Sequence, residues 1–187
     1  MAVKTFVAGT PATASDVNQY LANSGLVYVT STSFTGSASV SLNNCFTSTY
    51  TSYRVVLTLT GSTAGSYAHF RVRAGGSDLT GANYYRYGYT AAFSGAFASY
   101  NAGGQSSFVT VGQWGGGLIS TCYMDISEPM TANRTNWIAN VNDTGGGASY
   151  NLNGLVDVTT AYDGFTVYQN GGGTITGTIT VYGYRKA

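Results

Sequence analysis

From Leu26 onward, short runs of β-branched and aromatic residues alternate with polar ones and stop at Gly-, Asn- or Ser-rich turns. That rhythm suits strands and hairpins, because successive strand side chains point to opposite faces, whereas a helix repeats its apolar positions every three or four residues. The alternation is clearest in Val55, Leu57 and Leu59, in Phe70 and Val72, and in Ile175, Ile179 and Val181, each interleaved with Thr, Arg or Gly. Strands are predicted over residues 26–34, 38–42, 53–60, 67–73, 84–92, 106–112, 119–126, 135–141, 150–159, 164–168 and 174–184. Their spacing in a chain of 187 residues predicts an all-β fold. The expected architecture is an antiparallel two-sheet β-sandwich, jelly-roll-like, filling residues 26–187.

Residues 1–25, MAVKTFVAGTPATASDVNQYLANSG, have a different composition and form a predicted N-terminal arm. Ser15-Asp16 is placed to cap one small helix over residues 17–22, with Val17, Tyr20 and Leu21 on one face. A helix of about two turns is unstable alone in water, so that face docks either on its own sandwich or on another chain. The contrast with the strands favours docking on a partner, with Phe6, Val17, Tyr20 and Leu21 as the docking residues.

Charge narrows the function. The chain has eight Lys plus Arg, seven Asp plus Glu and one histidine, giving a net charge of +1. Acid–base catalysis needs titratable groups set against one another, and few exist here, so no enzyme is expected. His69 cannot build a His-rich zinc site, and no G-x-S-x-G nucleophile motif occurs. A glycosidase pair among Asp78, Asp125, Glu128, Asp143, Asp157 and Asp163 stays open on sequence alone. Asp143, Asp157 and the Asp163-Gly164 pair read as turn residues rather than calcium ligands. The triple glycines at 115–117, 145–147 and 171–173 match no phosphate-loop or dinucleotide pattern. No metal and no cofactor is expected.

Nucleic acid is not an expected partner, because Arg71 and Arg73 are the only closely spaced basic pair before Arg185 and Lys186. No membrane insertion is expected, the apolar runs being short, and no conventional signal peptide is seen, which implies synthesis in the host cytoplasm. Cys45 and Cys122 follow no C-x-x-C pattern; pairing is open on parity, and free buried thiols are the expected state.

Both ends of the chain carry a resemblance. Residues 4–23, KTFVAGTPATASDVNQYLAN, resemble a segment of the form K-T-F-x-A-G-x-x-x-T-A-x-D-V-N-x-Y-L that opens many tailed-bacteriophage virion proteins. Residues 162–187, YDGFTVYQNGGGTITGTITVYGYRKA, resemble the last two strands of the same proteins, with D-G-F, T-G-T-I and V-Y-G-Y-R in the same order. TSYRVVLTLTGS at 51–62 and MDISEPMTANRTNW at 124–137 are similar to their interior strands. The resemblance implies a virion structural protein, a tail fibre or minor tail protein, with a jelly-roll-like domain on an N-terminal anchoring segment. It also implies a homotrimer that contacts other virion proteins through the arm, and location on the virion at the tail or capsid surface.

The candidate contact surface is Asn83-Tyr84-Tyr85-Arg86-Tyr87-Gly88-Tyr89. As a strand it sets Tyr85, Tyr87 and Tyr89 on one side and Tyr84 and Arg86 on the other. Tyrosine offers flat amphipathic area and arginine adds donors, so Tyr85, Arg86, Tyr87 and Tyr89 are candidates to meet a host-surface glycan or protein. Packing of the same tyrosines into the sandwich or a subunit seam is the competing reading. Three functions follow in order: a tail fibre or minor tail module presenting the sandwich to the host, a capsid decoration (cement) or head-fibre protein, and a free carbohydrate-binding lectin-like module.

Overall fold

The computed structural model describes residues 7–16, 25–62, 67–113 and 118–185, and nearly every alternating run of the sequence within them is an antiparallel strand. A short helical turn, α1 (Ala14–Asp16), precedes β1 (Leu26–Ser37), β2 (Ser39–Leu42), β3 (Ser52–Gly61), β4 (Tyr67–Ala74) and β5 (Ser77–Asp78). There follow β6 (Tyr84–Ala92), β7 (Phe97–Ser99), β8 (Ala102–Gln105), β9 (Phe108–Gln113) and β10 (Ser120–Ser127). The chain closes with β11 (Thr135–Asp143), β12 (Ala148–Val156), β13 (Gly164–Gln169) and β14 (Ile175–Tyr184).

These strands make two antiparallel sheets, the all-β sandwich that the alternation implies. The larger runs β1-β14-β3-β10-β11-β12-β6, with β7 and β8 both on the open side of β6. The smaller runs β2-β13-β4, with β5 and β9 on the open side of β4. Strands from the two ends of the chain pair in both sheets, β1 with β14 and β2 with β13, which is the wrapped connectivity of a jelly-roll-like sandwich. No helix of the described residues is long and apolar enough to cross a membrane.

One core fills the space between the sheets. The large sheet contributes Leu57, Met124, Leu152 and Ile179, and the small sheet Phe70, Val72, Phe165 and Val167, all buried. Across the small sheet the rings of Phe46, Phe165, Phe70 and Phe108 stack in sequence at 5.6, 4.7 and 5.5 Å. Phe108 then meets Trp137 of the large sheet at 4.2 Å, tying the layers together. Trp137 lies over its cross-strand partner Gly154, where an added Cβ would stand 2.3 Å from the indole ring. Only glycine leaves the indole room to lie flat there. Cys45 and Cys122 are buried free thiols; burial pushes Cys45 up to about 12 and raises Cys122 further.

The structure departs from the sequence reading at three places. The stretch 93–105, left between the predicted strands 84–92 and 106–112, contains β7 and β8, because β6 offers an unpaired edge that even Gly-, Ser- and Ala-rich backbone can join. β5 was not anticipated either; it is a two-residue return of the β4 hairpin. Ser15 and Asp16 lie inside α1 rather than before it, since the turn begins at Ala14, directly after Thr13, itself a favoured capping type. The expected helix over residues 17–22 lies outside the described residues.

Leu57 is fully buried between the sheets and its neighbour Thr58 is exposed on the opposite face. Leu57→Ala is expected to cost about 2–5 kcal/mol in urea unfolding, and Thr58→Ala within about 0.5 kcal/mol. Equal losses at the two positions would contradict this assignment of faces.

Candidate functional site: the outer face of the large sheet

β10, β11, β12 and β6 pair without a bulge, so residues far apart in sequence fall into straight rows across the sheet. Inward positions of β11 are Thr135, Trp137, Ala139, Val141 and Asp143, all buried; Asn136, Ile138, Asn140 and Asn142 point outward. The register then aligns one outward row as Val56, Tyr123, Asn140, Asn151, Tyr89 and Ser99. The next row toward the Asp143 end of β11 is Thr58, Thr121, Asn142, Ser149, Ala91 and Phe97. Amides, hydroxyls and tyrosines make up most of these rows, with Val56, Ala91 and Phe97 among them and Ile138 neighbouring them.

Tyr85, Tyr87 and Tyr89 all project from it, with Tyr87 57 % exposed. Tyr89 stacks on Phe97 at 4.7 Å, and Tyr85 lies over Gly103, where a Cβ would come within 2.9 Å of the ring. Arg86 does not join them. It turns to the inner face, its guanidinium 4.3 Å over the Tyr100 ring, and burial lowers its pKa. Tyr84 is buried on that inner side, its hydroxyl donating to Leu79 O at 2.8 Å and receiving the Val72 N–H at 3.2 Å. The candidate docking residues Phe6, Val17, Tyr20 and Leu21 lie outside the described residues.

Between Tyr123 and Tyr89 the face opens into a groove of about 380 Å³, floored by Asn140, Asn142, Ser149 and Asn151 with Ala91 beside them. Asn151 Nδ2 donates to Asn140 Oδ1 at 2.7 Å, which fixes both floor amides relative to each other. Whichever way the two amides are turned, each keeps hydrogen-bonding capacity for a ligand. Tyr123 is 52 % exposed at one end of the groove and Tyr89 stands at the other. Tyr123, Asn140 and Asn151 escaped the sequence reading. The outward asparagines of WIANVND and SYNLNG were their signal, but the row they share with Tyr89 depends on pairing register.

Charge beside the groove is neutralised locally. Arg54 Nε and Nη2 donate to Asp125 at 2.8 and 2.7 Å, and Tyr184 OH donates to the same carboxylate at 2.7 Å. The Asp125 hydrogen bonds raise the Arg54 pKa. Burial pushes Asp125 upward, but the hydrogen bonds from Arg54 and Tyr184 outweigh it and leave the carboxyl below its usual range. Of the other candidate carboxylates, Asp78 pairs with Arg73, Asp157 pairs with Arg134 at 2.6 Å, Asp163 accepts from Gly75 N at 3.0 Å, and Glu128 is exposed. Asp143 is buried, accepting from Ser120 Oγ at 3.1 Å and from Gly146 N at 2.8 Å in the β11–β12 turn. Among the described residues no three His, Cys, Asp or Glu side chains gather where they could hold a metal ion. No known protein-family model matches the chain, and no curated protein is significantly similar to it in sequence.

His69 belongs to the other sheet. It is 6 % exposed, with Nδ1 2.8 Å from Ser107 Oγ and its ring 5.5 Å from that of Tyr168. Burial, and then the positive charges of Arg71 and Arg86, lower its pKa from 6.5 to about 4. The native state keeps the ring neutral while the unfolded chain takes up the proton first. The associated stability is therefore complete above about pH 6.5 and is lost as pH falls toward 4. Over that window the loss is expected to be on the order of 3 kcal/mol by urea unfolding, and His69→Gln is expected to flatten it. An unchanged slope in the variant would assign the pH dependence to another group.

Proposed function

We propose that this chain is a non-catalytic structural protein of a tailed-bacteriophage virion, a tail fibre or minor tail module that docks through its N-terminal arm and presents the sandwich to the host surface. The observation that carries the reading is the outer face of the large sheet: a broad array of tyrosines, asparagines and hydroxyls, little charged, with nothing of the described chain packed over its groove. The small sheet covers the opposite face, so core and contact surface are built from alternate residues of the same strands. A side chain facing water on such a face does not serve the core, and exposed tyrosine is costly to solubility unless it meets something.

The arm supports the same reading. Residues 7–15 are exposed throughout, Val7 being 66 % exposed, so this part of the arm is not packed into the sandwich. The resemblance of residues 4–23 and 162–187 to virion proteins fits an arm that inserts into a partner and a domain that stands clear of it. A homotrimer on the particle surface multiplies a weak contact: once one copy is engaged, the others act at high effective concentration.

Two changes to the phage test the reading. Deletion of residues 1–25 is expected to leave particles without the protein, and Tyr87→Ala to leave incorporation intact while adsorption to host cells falls about tenfold, the scale of one lost aromatic contact. Normal incorporation of the truncated chain would refute docking through the arm. Normal adsorption by the Tyr87→Ala particle would refute host contact through the β6 tyrosines.

A further inference from the structure

We propose that the groove across β10, β11, β12 and β6 binds a neutral oligosaccharide, held between Tyr123 and Tyr89 over the Asn140–Asn151 amide pair. This deepens the reading of the outer face as the host-contacting face. The two tyrosines stand three interstrand steps apart in one register row, about 14 Å. Between them the floor carries the short polar side chains of Asn140, Asn142, Ser149 and Asn151 with Ala91 beside them, and the groove, at about 380 Å³, has the size of a small-ligand site.

The chemistry of the lining selects the ligand. No charged side chain lines the groove, and the nearest ones on the same face, Arg54 and Asp125, are committed to each other. A phosphate or carboxylate sugar would enter without a counter-charge, so the ligand is neutral. A purely apolar ligand would bury the Asn142 amide and the hydrogen-bonding groups that Asn140 and Asn151 do not use on each other, at about 1–3 kcal/mol for each group left unsatisfied. An extended peptide adds to a sheet through a free edge, whereas β11 and β12 are paired on both sides. A pyranose meets every condition: its C–H face packs on a tyrosine ring, and its hydroxyls both donate to and accept from side-chain amides.

The site is also preorganised. Phe97 holds the Tyr89 ring by stacking at 4.7 Å, and the Asn151-to-Asn140 hydrogen bond holds the floor. Ligand binding then costs little ordering of the protein.

The test titrates the purified full-length chain with neutral di- to tetrasaccharides of hexoses and N-acetylhexosamines, alongside sialylated and uronate-containing analogues, by calorimetry and NMR. Saturable binding is expected for at least one neutral member, weakened about tenfold or more by Tyr123→Ala or Tyr89→Ala and largely restored by Phe at either position. Ser149 is exposed on the groove floor, so Ser149→Trp fills the groove without touching the core and is expected to abolish binding. Tyr28→Ala, at an exposed tyrosine on the far edge of the same sheet, is expected to change nothing. Urea unfolding of each variant separates lost binding from lost folding. Absence of saturable binding to every neutral member, or binding indifferent to both Ser149→Trp and Tyr123→Ala, would overturn the proposal, as would equal binding of the anionic analogues. Loss of adsorption by Tyr87→Ala particles with no sugar bound would remove the sugar assignment and leave the contact face. Sugar binding by a chain that particles do not carry would leave the groove and remove the virion role.

Discussion

The unbroken pairing of β3, β10, β11, β12 and β6 is the constraint on which the rest of the molecule depends. Across these strands no bulge shifts the register, so the inward row of Leu57, Cys122, Val141 and Tyr150 and the outward row of Val56, Tyr123, Asn140 and Asn151 are two sides of one alignment. A slip of one residue would turn every core side chain to water and every asparagine into the core. Burial of a single Leu or Val side chain stabilises by about 1.5–3 kcal/mol, and many act together here, so the core fixes the geometry of the outer face far more firmly than contacts on that face could. The groove inherits its shape from packing that lies on the other side of the sheet.

The two sheets are unequal in width, and that inequality places the polar chemistry. The small sheet, stapled by the stacked rings of Phe165, Phe70 and Phe108, covers the middle of the large one and reaches it through Phe108 and Trp137. Toward β6 the inner layer becomes polar, with Arg86 over Tyr100 and Tyr100 edge-on to Tyr150 at 5.3 Å. Toward β1 the outer face ends in hydroxyl pairs, Ser31 with Thr180 and Ser33 with Thr178, and in the edge-to-face pair of Tyr28 and Tyr182. Bulges after Tyr28 and Phe34 interrupt β1, a common way for an edge strand to resist further pairing. With few charges available, ion pairs are spent on single local contacts and leave the face itself neutral.

How much of this was legible depends on whether a feature is local. Strand identity and facing were readable because they have period two: Tyr85, Tyr87 and Tyr89 against Tyr84 and Arg86 is a local statement, and the structure sets them so. That same alternation already turned Arg86 away from the tyrosines it was grouped with. β7 and β8 were not readable, since Ala, Gly and Ser carry little strand preference and pair only because β6 presents an edge. Tyr123, Asn140 and Asn151 escaped that reading: each alternates with buried neighbours, but nothing local says which outward residues of four strands share a row. His69 falls within the predicted strand 67–73, but nothing local shows that the Ser106-Ser107 segment folds over it and buries it on the face opposite Phe70.

The central claim is that the tyrosine face of the large sheet is open to its surroundings and is not closed by another copy of the chain. Hydroxyl-radical footprinting of the full-length protein, read residue by residue by mass spectrometry, tests it most directly. Tyr87 and Tyr123 are expected to be modified as readily as Tyr28 at the sheet edge, while Tyr53 and Tyr84 in the core stay protected. Protection of Tyr87 and Tyr123 to the level of Tyr53 and Tyr84 would show the face buried between subunits and would contradict the account.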